Sequence, residues 1–431
     1  MTIFLVWWIN QTGFIYYSDS EKMYMCAEMF LRGDYSEWQP GGYAFMWPHQ
    51  NTMILLIAFL LKHFELVQTF YILYYLIILF YVLTILFLHK TMQLLFEWKY
   101  MTAIQGVMLV FYFPYAFLVT NLYGDHIGYG FSMMAVYFCI KYLKYRETKN
   151  VVWMGICIAL GICFKQNCMI ILAGMVCILC VDVVHQGRIQ WKRLLWVVLF
   201  LAGVGILCSL PKQYISAVSG LELGEGNSKL AHIAMGLQDT GRAPGWCNDY
   251  NIDVFVENNY SKAATAEASL ENIKASLNDF ITHPLKAWSF FHRKWALEWN
   301  NPTFECFNAQ NLRISVVELS SLIKSTINDG GKVNILAIAW MDGWQTVLLF
   351  GMLLYLICAK DADVKTLLPA ICFIGAFLFW TFWEAKPRYV VPYFLFMIPY
   401  SFAGYKFFVE KHRSKKFQIG IGGLFALVMV L

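Results

Sequence analysis

Apolar runs of bilayer-crossing length recur along almost all of this chain, and they leave few folds open to it. A span needs about 20 predominantly apolar residues, fewer when it tilts or is buried among neighbours. Such runs fall near residues 1–17, 66–89, 101–121, 129–145, 151–163, 168–184, 194–210, 345–359, 366–383, 389–407 and 417–431. Backbone polar groups in hydrocarbon must be satisfied within the segment, so runs of this kind fold as helices. Of 431 residues, 59% are hydrophobic and only 14% charged, where a soluble domain carries roughly 25% charged. The expected fold class is an all-α polytopic membrane protein with about 11 transmembrane helices. A net charge of +5, with no basic tail and no zinc or helix-turn-helix pattern, excludes nucleic acid as a partner.

Three regions follow. Residues 1–210 form an N-terminal transmembrane module whose polar loop, 18–65, contains a short apolar helix, Thr52–Leu61, expected to lie at the membrane surface. Residues 211–344 alone have soluble character. They carry turn signals and an amphipathic helix over Ala263–Ile281, with Ala266, Leu270, Ile273, Leu277 and Phe280 on its apolar stripe. Residues 345–431 return to transmembrane helices. The loops at 90–99, 141–150, 185–193, 360–365 and 409–416 hold fifteen Lys/Arg. The short opposite loops hold six: Lys22, Arg32, Lys62, Lys165, Lys386 and Arg388. By the positive-inside rule the richer side is cytoplasmic, so loop 18–65 and the polar region 211–344 face outward from the cell membrane. Most of the twelve cysteines lie inside apolar runs as small hydrophobes, while Cys247 and Cys306 are open to pairing. Both ends break into apolar runs, and the chain is expected to be a piece of a longer one.

Four outward places hold polar groups that packing does not require. Asp19 and Glu21 follow the first span. A carboxylate there suits a general base, a metal ligand, or an acid capping the next helix. Asp125-His126, in the loop Asn121-Leu-Tyr-Gly-Asp125-His126, suits metal binding, acid–base work or a turn. Lys165 stands at a helix junction, placed for a lipid phosphate or for snorkelling. In Trp383-Glu384-Ala385-Lys386-Pro387-Arg388-Tyr389, Arg388 has the fork that grips phosphate, or else pairs with Glu384.

In order and placing, these features resemble the GT-C glycosyltransferases, near the family-39 branch of protein O-mannosyltransferases and the aminoarabinose transferase of lipid A. The resemblance rests on an acid after the first span (Asp19 with Glu21), a juxtamembrane helix (Thr52–Leu61), and a second-loop acid (Asp125). A late E-x-x-x-R-Y-x-x-P-like turn (Glu384, Arg388, Tyr389, Pro392) completes it, and GDYSEWQPGGYAFMWPHQ, GWCNDYN and HPLKAWSFFHRKWALEWNNP resemble bacterial members. Asp19-Ser20-Glu21 departs from the adjacent Asp–Glu pair of the eukaryotic enzymes. That leaves open whether Asp19 alone is the base, and whether a divalent cation on Asp19 and Asp125 is needed. The resemblance implies transfer of a sugar from a polyprenyl-phosphate donor to a hydroxyl of a glycan, lipid or protein. Asp19 would be the base, with Arg388 and Lys165 on the phosphate and Glu384 and Tyr389 in support. Trp246, Asn248 and Tyr250 would shape the acceptor site. The alternative is a transporter or flippase of a lipid-linked glycan, which would more typically carry charges mid-span and internal repeats. A further alternative is a non-catalytic scaffold, which gives those groups no reason to converge.

Overall fold

The computed structural model describes residues 1–96, 106, 109–185, 188–240, 242–307, 310, 313–359 and 364–411. The expected span at 417–431, and most of 101–108, lie outside these residues. The described chain is mostly helical, with two antiparallel hairpins of two-residue strands, Val184–His185 with Arg188–Ile189 and Asp239–Thr240 with Ala243–Pro244. Among the described residues, four helices are long and apolar enough to cross a membrane: Leu66–Phe96, Gln166–Val183, Trp191–Ser219 and Lys332–Cys358. A fifth is added if Ser36–Met46 and Pro48–Leu61, bent by 95°, count as one broken span. Lys149–Phe164 and Thr366–Phe382 are shorter apolar helices.

Several expected spans take a different form. The first is a helix of 11 residues, Thr2–Thr12, stopped by Gly13 in the left-handed region at φ 48°. After Gly13 the chain runs beside residues 313–317: Ile15 N donates to Ile314 O and Val316 N to Gly13 O, at 3.0 and 2.9 Å. The described part of 101–121 is a five-residue helix, Phe113–Phe117, followed by a 3-10 turn. The stretch 129–145 belongs to Asp125–Tyr145, most of whose residues are buried by neighbouring helices. Burial among helices lets a segment carry Gly, Ser and His that a lipid-facing helix would not.

The region 211–344 is not bounded where expected. Trp191–Ser219 runs on through Pro211, and Lys332–Cys358 begins before residue 345. Between them lie the helices Lys229–Gly236, Tyr250–Glu257, Lys262–Thr282, Pro284–Trp299 and Ser321–Ile327. The expected amphipathic helix forms as Lys262–Thr282, but its buried line is Thr265, Ser269 and Ile273. Leu270 and Leu277 are exposed. The face was set by the small core it meets, Ala234 and Leu237 beside Ile273, and small polar residues admit that close approach. All twelve cysteines are free, Cys247 and Cys306 included.

The helix Asn51–Leu61 buries Met53, Ile54, Ile57 and Leu60 and packs on Asp19–Leu31. Its start is pinned by Trp38 Nε1 donating to Asn51 Oδ1 at 3.0 Å. Close approach of the 121–126 loop to the end of Lys149–Phe164 depends on Gly124. A Cβ there would collide with the Phe164 carbonyl oxygen, whereas one on Gly203 meets nothing within 4 Å. Gly124→Ala is therefore expected to cost about 1–3 kcal/mol as an overpacked site. It should lower the melting temperature of the detergent-solubilised protein, while Gly203→Ala leaves it unchanged or slightly raised.

Candidate active site

Two adjoining cavities receive the polar groups of the four outward places. The larger, 770 Å³, is lined by Asp19, Tyr43, Trp47, His49, Gln50, Tyr123, Lys165, Lys229, His232, Glu384, Lys386 and Tyr389, among others. The smaller, 290 Å³, takes in Asp19, Tyr123, Asp125, Lys165, Arg242, Trp246, Arg313, Lys386, Arg388 and Tyr389. Residues separated by more than 350 positions in sequence thus share a wall, because helix ends converge there.

Asp19 is the first residue of the helix Asp19–Leu31, and the helix dipole favours a carboxylate at that end. The cap position itself is Ser18, held at φ 54°. A non-glycine residue in that region costs on the order of 1–3 kcal/mol, so the surrounding packing over-determines it. Burial, with the nearby Asp19 charge second, pushes the Tyr43 phenol far up. The half-buried Asp19 meets both cavities. Glu21, on the exposed side of the same turn, lines neither cavity.

Asp125 begins the helix Asp125–Tyr145, with Gly124 at its cap. Its Oδ1 lies 2.7 Å from Lys165 Nζ. The ammonium also sits over the Tyr123 ring at 4.6 Å and near the Tyr389 ring at 5.4 Å. His126 does not join this group. It is buried, with Nε2 3.0 Å from Tyr115 O and its ring stacked on Tyr115 at 4.5 Å. Among the described residues, no group of three or more His, Cys, Asp or Glu side chains is arranged to hold a metal ion. Asp125 already has its charge matched by Lys165.

The turn Glu384–Tyr389 differs from the i,i+4 pairing open to it in sequence. Glu384 Oε1 meets Lys386 Nζ at 2.5 Å. Burial pushes the Glu384 carboxyl up, but Lys386 and Arg388 outweigh it and hold the carboxyl below its usual range. Arg388 makes no ion pair among the described residues. Burial pulls its guanidinium down, and the Tyr389, Asp125, Tyr123 and Glu384 oxygens more than restore it, so it stays charged. Tyr389 OH reaches Glu384 Oε2 at 3.5 Å. The chemistry on offer is one carboxylate able to accept a proton beside cations able to receive an anion.

Lys294, given no role in the sequence reading, anchors this turn. It is wholly buried, and its Nζ donates to Gly236 O and to Trp383 O, both at 2.6 Å. One ammonium so ties the end of Lys229–Gly236 to the residue before Glu384. Burial lowers its pKa to about 8, and burial raises that of Glu298, one helical turn on, well above the usual range. Of the residues expected at the acceptor end, only Trp246 reaches a cavity, beneath the Arg242 guanidinium at 4.1 Å. Asn248 donates to Gln238 Oε1 at 2.7 Å within the hairpin, and Tyr250 packs on the small core. Tyr43, Tyr123 and Lys386 stood inside quoted motifs and were legible by position. Lys294 also lay in a quoted stretch but was given no role, and His232 carried no local signal.

Lys294→Met should cost about 1–3 kcal/mol for each of the two buried carbonyls it leaves without a donor. The loss should show in thermal melts. The pH dependence of stability has a definite sign. Burial depresses His49 to about 3 and His232 to about 4, so both stay neutral in the folded protein where the unfolded chain protonates them near 6.5. The unfolded state then binds more protons between about pH 6.5 and 4, and stability falls as pH drops through that window. Melting temperatures taken from pH 7 to pH 4.5 should decline, and His232→Gln should flatten the slope.

Residues 54–212 match the sequence profile of the dolichyl-phosphate-mannose-protein mannosyltransferase family. Neither a curated protein nor a solved structure matches the chain significantly. The matched stretch contains Asp125, His126 and Lys165, and stops before Lys294 and the 384–389 turn. Over it, the chain is similar to membrane mannosyltransferases.

Proposed function

We propose that the protein is a GT-C-type glycosyltransferase that moves a sugar from a polyprenyl-phosphate donor to an acceptor hydroxyl at the outer face of the cell membrane. The observation that carries the reading is the 290 Å³ cavity, where Asp19 shares the wall with Lys165, Lys386 and Arg388, while the other two carboxylates there, Asp125 and Glu305, are paired with Lys165 and Arg242. The similarity of residues 54–212 to mannosyltransferases adds to it, as does the charge bias of the loops.

In this reading the donor phosphate enters between helix ends and meets the cations. Asp19 takes the proton of the acceptor hydroxyl. The freed oxygen forms a bond to the anomeric carbon as the bond from that carbon to the phosphate oxygen breaks, with inversion. The electron pair leaves on the lipid phosphate, where Lys165, Lys386 and Arg388 stabilise the added charge. Asp125 holds the Lys165 ammonium, Glu384 holds the Lys386 ammonium, and Tyr389 packs against both cations. The eleven-span topology and the outward placing of residues 211–344 complete the proposal.

Radiolabelled polyprenyl-phosphate sugars and purified protein test it. Wild type should release sugar from the donor. Asp19→Asn should lose about 10²–10⁴-fold in turnover, the size of a general-base contribution, while still binding donor. Arg388→Ala should weaken donor binding and turnover together. Binding without cleavage in any acceptor mixture, accompanied by movement of the lipid across vesicles, would replace the reading with a transporter.

A further inference from the structure

The 770 Å³ cavity is larger than the acid and cation cluster requires. Pockets of about 300–1,000 Å³ enclose a drug-sized ligand, so this one has room for more than a single hexose. Its far wall is built from three separate pieces of chain: the segment through Trp47 and His49, the helix Lys229–Gly236, and residues near Asn227, Asp249 and Asn251. The chemistry of that wall differs from the cationic end.

Two aromatic groups form one side. Phe379, Trp383 and His232 stack as a column, with centroids 4.9 and 4.8 Å apart and planes within 26° and 7°. The column ends on His232, which meets Trp47 at 5.5 Å and 59°. His232 Nδ1 has no hydrogen-bond partner, and its imidazole is uncharged near neutral pH. Opposite stand two carboxamides, Asn227 at 6% and Asn251 at 4% exposure. The side-chain oxygen of each also lacks a partner. These three residues line the cavity with their other atoms, which gives the wall its amide and imidazole character.

At this end Lys229 donates to Gln166 Oε1 at 2.7 Å and Lys262 is paired with Glu225, while Lys212 and Asp249 line the same wall. A lipid chain would want a continuous aliphatic lining, and the wall offers amides and imidazoles. An extended peptide would want a strand edge, and the nearby Asp239–Thr240 and Ala243–Pro244 strands are two residues long and paired to each other. Aromatic rings, uncharged imidazoles and carboxamides together suit the C–H faces and hydroxyls of a sugar.

We infer that the Trp47–His232–Asn227–Asn251 end of the larger cavity is the acceptor subsite and takes a carbohydrate. The inference rests on the transferase reading, and it adds the acceptor class to it: the hydroxyl presented to Asp19 belongs to a glycan rather than to a serine side chain or a lipid.

The test offers the purified protein a labelled polyprenyl-phosphate sugar with one acceptor at a time. The acceptors are mannotriose, maltotriose, cellotriose, a Ser/Thr-rich peptide and diacylglycerol. Equilibrium dialysis of each labelled trisaccharide is run in parallel without donor. At least one trisaccharide should bind and accelerate donor consumption. Trp47→Ala and Asn251→Ala should each raise its KM about tenfold, the effect of one lost contact, with a smaller change in donor KM. Trp47→Phe, which keeps the ring, should stay near wild type and guards against a folding defect. Acceleration by the peptide or the diacylglycerol alone overturns the inference and leaves the transferase reading standing. So does Asp19-dependent donor hydrolysis with no trisaccharide bound at millimolar concentration. Trisaccharide binding without any donor cleavage would keep the subsite but remove the transferase reading.

Discussion

The Lys165 ammonium, 2.7 Å from Asp125 and flanked by the Tyr123 and Tyr389 rings, is the contact on which the rest of the site depends. It joins the end of Lys149–Phe164 to the start of Asp125–Tyr145 and to the turn at 384–389. Removing either partner would leave the other charge on the cavity wall without its counter-ion. The small residues around it follow from this contact. Gly124 and Gly128 carry no side chain because a Cβ on either would strike the Phe164–Lys165 backbone or the Lys165 side chain.

A second set of interactions positions the turn. Lys294 holds Trp383 O and Gly236 O from behind, Lys386 takes the Glu384 carboxylate, and Arg388 is left without an ion pair among the described residues. Three cations face two carboxylates across the turn and the neighbouring loop, which leaves one positive charge in surplus. A pocket with that balance receives an anion that carries its own negative charge, and repels further cations. Asp19 stands apart from these pairs, on the wall of both cavities near Tyr43, Tyr123 and Tyr389.

Much of this was readable in the chain, and the rest was hidden for physical reasons. Helices were legible because apolar runs in lipid have one way to satisfy their backbone. The four polar places were legible because charge at the end of an apolar run needs a reason, and Asp19, Asp125, Lys165, Glu384, Arg388 and Tyr389 do line the two cavities and the small pocket beside Arg388. Their pairings were not. Glu384 chooses Lys386 over Arg388 because the turn is a 3-10 segment, Pro387–Tyr389, rather than a continuous helix. Glu21 lies beside the right residues in sequence and faces elsewhere, while His126 reaches only the small pocket beside Arg388. The buried line of Lys262–Thr282 runs through Thr265 and Ser269 rather than the leucines, since the partner surface and not the helix decides which face is covered. Lys294 and His232 sit in amphipathic helices with nothing local to mark them, and only the fold shows what they touch.

The central claim is that a lipid-linked phosphate occupies the cationic end with its sugar turned toward Asp19. A structure of the protein with a non-cleavable phosphonate analogue of a polyprenyl-phosphate sugar tests this most directly. The account predicts phosphonate oxygens within hydrogen-bond distance of Lys165, Lys386 or Arg388, and the anomeric carbon facing the Asp19 carboxylate. A phosphonate bound elsewhere on the chain, with these three side chains unchanged, would contradict it.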